Sequence, residues 1–88
     1  MGRETVLFKS EERKSRDDVV QVLRLLADKI ESGKLNLSNA GGSVELELPA
    51  NLTLEIKVEE ETKHRTKRSL EIELEWTEGE DSGPTMIG

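Results

Sequence analysis

Three segments of this 88-residue chain place an apolar residue at every second position. In the clearest of them, residues 70–76, leucine, isoleucine and tryptophan alternate with three glutamates. The same alternation occurs over residues 44–48 and 52–58. A period of two places successive side chains on opposite faces of a β-strand, so each segment predicts a strand with one apolar and one charged face. Because sheets that are wet on one face are commonly antiparallel, we expect a mostly antiparallel sheet.

Two shorter apolar segments extend the predicted sheet. Residues 35–37 predict a short strand, and residues 6–8 predict another near the N-terminus. Residues 39–42 and 49–51 are rich in asparagine, glycine and proline, which favour turns. We therefore expect a turn at each of these two places, with a strand on either side.

One segment departs from the alternation. Apolar side chains over residues 19–30 recur with the spacing of one helix face. Ser15 has an aspartate three positions later, a pattern typical of an N-cap residue. Gly33 stands where a left-handed residue would end the helix. The sequence therefore predicts a helix over about residues 16–32.

A helix with one apolar stripe can cover the apolar face of a sheet. We therefore predict a two-layer α+β fold in the order β-α-β-β-β-β, with one helix packed on one face of a mostly antiparallel sheet. The last four strands are expected to form a meander, and the first strand to run beside the last, which would bring Phe8 near Trp76. The predicted domain spans residues 1–76. Residues 77–88 are expected to be a disordered acidic tail, because their composition is too polar to offset the entropy of ordering.

The composition excludes several kinds of site. The chain has no cysteine and a single histidine, which excludes a disulfide scaffold, a thiol nucleophile and a two-histidine metal site. We therefore expect no catalytic residue, no cofactor and no metal. No apolar run approaches the roughly 18 residues of a membrane span, and the N-terminus lacks the profile of a signal peptide. These features predict a cytoplasmic protein that does not bind membranes.

Three stretches, read in order, carry a family resemblance. They are FKSEERKSR at residues 8–16, LRLLAD within the predicted helix at 23–28, and LEIELEW at 70–76. This combination resembles the amphi-Trp domain, a family of small prokaryotic domains, over about residues 6–76. The resemblance supports the predicted fold and a cytoplasmic location. It implies no catalytic residue, ligand or established activity.

Two basic clusters are the candidate binding residues. They are Lys63, His64, Arg65, Lys67 and Arg68 within one polar segment, and Arg13, Lys14 and Arg16 near the start of the helix. The polar segment, residues 59–68, predicts a solvated loop or the overhanging end of a hairpin. If the two clusters converged, they would attract phosphate groups, aided by backbone donors at the helix N-terminus. The net charge of −6 and the scarcity of aromatic residues argue against nucleic acid.

The remaining polar groups have simpler interpretations. His64 stands among cations and has no adjacent nucleophile in the sequence, so we expect an exposed loop histidine rather than a catalytic one. The glutamates of the charged strand faces would be spread over a flat sheet. We therefore expect them to maintain solubility rather than to bind a cation.

These observations favour a non-enzymatic interaction or structural module that binds an unknown protein partner or a second copy of itself. Leu7 and Leu25 fall on the polar sides of their predicted elements and are the candidates for self-association. Trp76 continues the apolar side of its strand and is expected in the core. The alternative function is weak binding of nucleic acid or an anionic ligand through residues 63–68 and the helix start.

Overall fold

The structure is a computed structural model that describes residues 2–79. It divides into two compact units, Met1–Leu48 and Pro49–Gly88. The elements are α1 (Arg16–Ser32), β1 (Lys34–Asn39) and β2 (Gly42–Glu47) in the first unit, and β3 (Thr53–Thr62) and β4 (Thr66–Glu75) in the second. One helix and four antiparallel strands give the α+β composition that the sequence predicts.

Both ends of α1 form as the sequence predicts. Ser15 is the N-cap, and its hydroxyl oxygen accepts a hydrogen bond from the backbone N–H of Asp18 at 3.1 Å. Gly33 adopts a left-handed conformation with φ of 86°, and its N–H donates to the carbonyl of Ile30 at 3.0 Å. A residue with a Cβ rarely adopts this conformation, which explains glycine at the end of the helix.

The N-cap is expected to contribute measurably to stability. Ser15→Ala leaves a first-turn N–H without its side-chain acceptor, so we expect the free energy of unfolding to fall by about 1 kcal/mol in urea titrations. Ser10→Ala is the matched control, because Ser10 is exposed outside α1 and its hydroxyl donates to Glu12 at 3.5 Å. The control should stay within about 0.5 kcal/mol of the wild type. Equal losses in both variants would contradict the assigned role of the cap.

In the first unit, the β1–β2 hairpin supports the helix. Leu35 lies opposite Leu46 and Leu37 opposite Val44 in its antiparallel register. All four side chains are half-buried, and α1 lies against β1. The predicted turn over residues 39–42 is confirmed as the connection between these strands. This unit therefore combines helix and hairpin much as the sequence predicts, although on a smaller scale.

The predicted N-terminal strand is wrong. Residues 2–14 contain no helix or strand, so the element order begins with α1. The run Val6, Leu7, Phe8 is apolar throughout, so it lacks the alternation that gives a strand one dry and one wet face. The Nδ2 of Asn39 donates to the carbonyl of Lys9 at 3.0 Å, which fixes this segment through a side chain rather than through a strand ladder.

The second unit is one long hairpin. Its strands have ten residues each, and their register runs from Thr53 opposite Glu75 to Thr62 opposite Thr66. Residues 63–65 form the turn, in which the N–H of Lys63 donates to the carbonyl of Arg65 at 3.1 Å. Of the two predictions for residues 59–68, the overhanging hairpin end is therefore the one confirmed.

The four strands form two sheets of two strands, β1–β2 and β3–β4, and the predicted single sheet is not confirmed. The predicted meander is not confirmed at its middle step, because β2 pairs with β1 and β3 pairs with β4 in separate sheets. Pro49 lacks a backbone N–H, so it cannot donate to a strand ladder at this connection. The N–H of Leu48 instead donates to the carbonyl of Gly33 at 2.8 Å, within the first unit.

Within residues 2–79 no side chain is fully buried. Trp76, which the sequence predicts to lie in the core, is half-buried. The predicted approach of Phe8 to Trp76 and the domain limits of 1–76 stay predictions. The predicted disordered tail, residues 77–88, lies mostly outside the described residues. Within the described range, no helix combines the length and apolar character needed to cross a membrane.

Candidate functional site: the apolar face of the long hairpin

One side of the β3–β4 hairpin is a continuous apolar surface. Its six side chains form three directly opposed pairs, Leu54 with Leu74, Ile56 with Ile72, and Val58 with Leu70. Leu74 is half-buried, whereas the other five are between 54% and 69% exposed. We call these six residues the apolar face. Directly opposed apolar pairs stabilise an antiparallel ladder, but an exposed surface of this kind also favours contact with another apolar surface.

The opposite side of the same hairpin is charged. The ammonium of Lys57 lies 3.1 Å from a carboxylate oxygen of Glu59 and 3.2 Å from one of Glu71. Hydrogen bonds to Glu59 and then to Glu71 raise the pKa of Lys57 above its usual value, because both carboxylates stabilise the protonated ammonium. Glu55 and Glu73 oppose each other next to it. The charged side therefore remains in water, as the sequence predicts.

The carboxylates of this sheet do not form a metal centre in the described part of the chain. Among residues 2–79, no three aspartate, glutamate or histidine side chains come together in an arrangement that could hold an ion. Most of the glutamates occupy alternate positions along a strand. Neighbouring carboxylates on one strand face are therefore two residues apart rather than gathered around one point.

The basic cluster at the end of the hairpin lies next to acidic side chains. Lys63, His64 and Arg65 occupy the turn, and Lys67 and Arg68 follow Thr66 in the first part of β4. The Nε of Arg68 lies 2.8 Å from a carboxylate oxygen of Glu60, and Lys67 lies opposite Glu61 in the ladder. These carboxylates offset part of the positive charge that would attract a phosphate.

The second basic cluster belongs to the first unit. Arg13 and Lys14 precede α1 and Arg16 begins it. The ammonium of Lys14 lies 3.4 Å from a carboxylate oxygen of Glu12. The convergence of this cluster with the basic turn of the hairpin stays a prediction.

The two leucines proposed for self-association are both exposed. Leu7 is 69% exposed in the segment before α1, and Leu25 is 58% exposed on the helix. Leu7 lines an open groove together with Val6, Phe8, Lys9, Asn39, Gly41 and Gly42. Both leucines belong to the first unit, so neither is part of the apolar face.

Sequence reasoning identified the residues of the apolar face and predicted that a helix covers them, a packing that is not confirmed. The alternation over 52–58 and 70–76 identifies which side chains share a face, and the register confirms that grouping. The expectation of a covering helix led to their assignment as core. Their exposure makes them the strongest candidate for a functional surface in the described residues.

Comparison with known proteins gives one family and no individual relative. The family model for the Amphi-Trp domain matches residues 1–87, nearly the whole chain. Neither the curated proteins nor the solved structures contain a significant match. This match confirms the resemblance carried by the opening motif, the helix and the strand that ends in Trp76. The chain belongs to the Amphi-Trp domain family.

Proposed function

We propose that this protein is a non-enzymatic structural module that acts by self-association, with the apolar face of the β3–β4 hairpin as its contact surface. The observation that carries the proposal is the exposure of three opposed apolar pairs along one side of the hairpin. An isolated two-stranded hairpin is at best marginally stable in water. A second apolar surface packed on this face would supply the burial that the hairpin lacks.

The size of the apolar face fits a dimer interface. Each of its five most exposed side chains offers roughly 100 Å² of apolar surface, so together they offer about 500 Å². That area is in the upper range of patches found on monomers, which are about 300–600 Å² and are commonly functional. A standard interface buries about 800 Å² per partner around an apolar centre, and this face is large enough to form such a centre.

A second copy is the occupant that the chemistry of the face favours. The face is apolar in all three of its pairs, so it is complementary to an identical face, as an interface between two like subunits requires. The charged side of the hairpin carries Glu55, Lys57, Glu71 and Glu73 and remains hydrated. Since only one side of the sheet can pack, association is expected to close at two copies rather than to continue into a stack.

Sedimentation equilibrium of the purified chain tests this proposal. At about 100 µM, well above the micromolar dissociation constants at the weak end for interfaces of this size, we expect a mass twice the 9.9 kDa of one chain. Dilution should return the mass toward that of one chain. A single-chain mass at every concentration would overturn the proposal.

A further inference from the structure

We infer that two copies pack with their apolar faces together and their hairpins pointing the same way, so that Arg68 of each copy pairs with Glu60 of the other. This inference rests on the proposed self-association and adds the residues that set the orientation of the two chains. In the inferred dimer, the turns at residues 63–65 of the two copies lie at the same end.

The side of the hairpin that carries the apolar face is charged near the turn. Beyond the last apolar pair in that direction, the next residues on this side are Glu60 and Arg68, which oppose each other in the ladder. At the far end, Leu52 and Trp76 continue the alternation of the two strands, and both are half-buried. The contact side therefore has one charged end and one apolar end.

The charged pair is accessible to a second chain. The Nε of Arg68 lies 2.8 Å from a carboxylate oxygen of Glu60, and the two side chains are 75% and 53% exposed. An arginine has five N–H donors and a carboxylate has two acceptor oxygens, so this bond uses only part of the capacity of each group. Each copy therefore presents a cation and an anion, side by side, to a chain that packs on its apolar face.

Two symmetric arrangements bring the apolar faces together, and they place this pair differently. When the two-fold axis runs along the strands, β3 of each copy lies over β4 of the other. Each side chain then lies over the residue that opposes it in its own ladder, so Arg68 lies over Glu60 of the second copy. When the axis crosses the strands at the middle apolar pair, each strand lies over its own copy in reverse. Arg68 then lies over Trp76, and the neighbouring carboxylate lies over Leu52.

The first arrangement matches charged groups with charged groups and apolar groups with apolar groups along the whole contact. Each carboxylate gains a second guanidinium, and the four charges alternate in sign. In the second arrangement, Arg68 gains a cation–π contact, but Glu60 loses water against an aliphatic side chain that offers no donor. Desolvation of a carboxylate without a new partner is costly. The charges on the contact side therefore favour hairpins that point the same way.

The acidic side chains on the opposite side of the hairpin have little influence on this choice. They point away from the contact in both arrangements, with two packed sheets between the charges of one copy and those of the other. Aligned sheets pack about 10 Å apart, so the outward carboxylates of the two copies are roughly 20 Å apart or more. The screening length at physiological salt is about 8 Å. Arg68 and Glu60, in contrast, point into the space between the sheets.

A charge-swapped chain tests the orientation. Glu60→Arg combined with Arg68→Glu keeps the ion pair within each hairpin, so this variant is expected to fold and to self-associate as the wild type does. A mixed dimer with the wild type would instead place arginine over arginine and glutamate over glutamate. Since like charges in contact suppress association, we expect the dissociation constant of the mixed dimer to be at least about tenfold higher than that of either parent dimer.

Native mass spectrometry measures the share of mixed dimers. The swapped chain has the same composition as the wild type, so the wild type is labelled with nitrogen-15 to separate the masses. Random pairing of equal amounts makes one half of all dimers mixed, whereas a tenfold weaker mixed dimer lowers this share to about one tenth. A mixed share of one half at equilibrium would overturn the inferred orientation.

A second swapped chain is the matched control. Glu61 and Lys67 oppose each other one position nearer the turn, on the outward side of the hairpin. Glu61→Lys combined with Lys67→Glu exchanges the same charges without entering the contact, so this chain should form one half mixed dimers with the wild type. A low mixed share for this control as well would overturn the assignment of sorting to Glu60 and Arg68.

The outcomes separate the inference from the proposal on which it rests. A wild-type chain that is monomeric at every concentration overturns self-association itself. A wild-type dimer that mixes at random with the chain swapped at positions 60 and 68, or a swapped chain that stays monomeric where the wild type dimerises, overturns the orientation and leaves self-association standing. Dimers of both parents with few mixed dimers support both.

Discussion

Replacement of Ile72 by lysine is expected to convert the protein to a monomer at concentrations at which the wild type is a dimer. Ile72 lies at the centre of the apolar face and is 54% exposed within one chain. A single copy can therefore accommodate the lysine with its ammonium in water. In the dimer, two such ammonium groups would be buried close together without a counterion. We expect the dissociation constant to rise at least about 100-fold, equivalent to roughly 2.8 kcal/mol.

Thr53→Lys is the matched control for this variant. It adds the same charge to the same hairpin, but Thr53 is exposed on the charged face, opposite Glu75. A lysine there gains a carboxylate neighbour and does not enter the apolar face. Sedimentation should show a dimer for Thr53→Lys and a monomer for Ile72→Lys. Similar masses for the two variants would mean that the apolar face is not the contact surface.

The local features of this chain could be predicted from its sequence because their causes act over a few residues. The limits of α1 follow from Ser15 and Gly33, which act on the first and last turns of the helix. The overhanging end of the long hairpin is consistent with its lack of apolar residues. The grouping of side chains on each strand face follows from the period of two alone.

The features that could not be predicted depend on partners distant in sequence. Alternation indicates which face of a strand is apolar, but it does not indicate what covers that face. For β1 the packing partner is α1, which is adjacent in the chain. For β3 and β4 the same pattern accompanies an exposed face. The sequence at residues 49–51 indicates that β2 ends there. This composition is equally typical of a turn between two paired strands and of a connection between two separate sheets.

The leucines predicted for self-association and the apolar face are identified by different criteria. Leu7 and Leu25 were proposed for self-association because each interrupts a pattern, a criterion that finds isolated exposed residues. The apolar face follows its pattern without interruption, and a regular apolar face serves a core and an interface equally well. Charge gave no better indication, since Arg68 and Lys67 lie beside Glu60 and Glu61.

The central claim is that a second copy covers the apolar face, and amide hydrogen exchange over β3 and β4 tests it most directly. A solitary hairpin opens readily, whereas a hairpin packed in a dimer opens only when the dimer dissociates or unfolds. We therefore expect exchange in these strands to slow at least about 100-fold between concentrations well below and well above the dissociation constant.

Ile72→Lys supplies the comparison that separates a second copy from a cover supplied by the same chain. The account predicts rapid exchange over Thr53–Thr62 and Thr66–Glu75 in this variant at every concentration, with Thr53→Lys behaving as the wild type. Slow exchange in wild-type protein that is independent of concentration, and that persists in monomeric Ile72→Lys, would contradict the account.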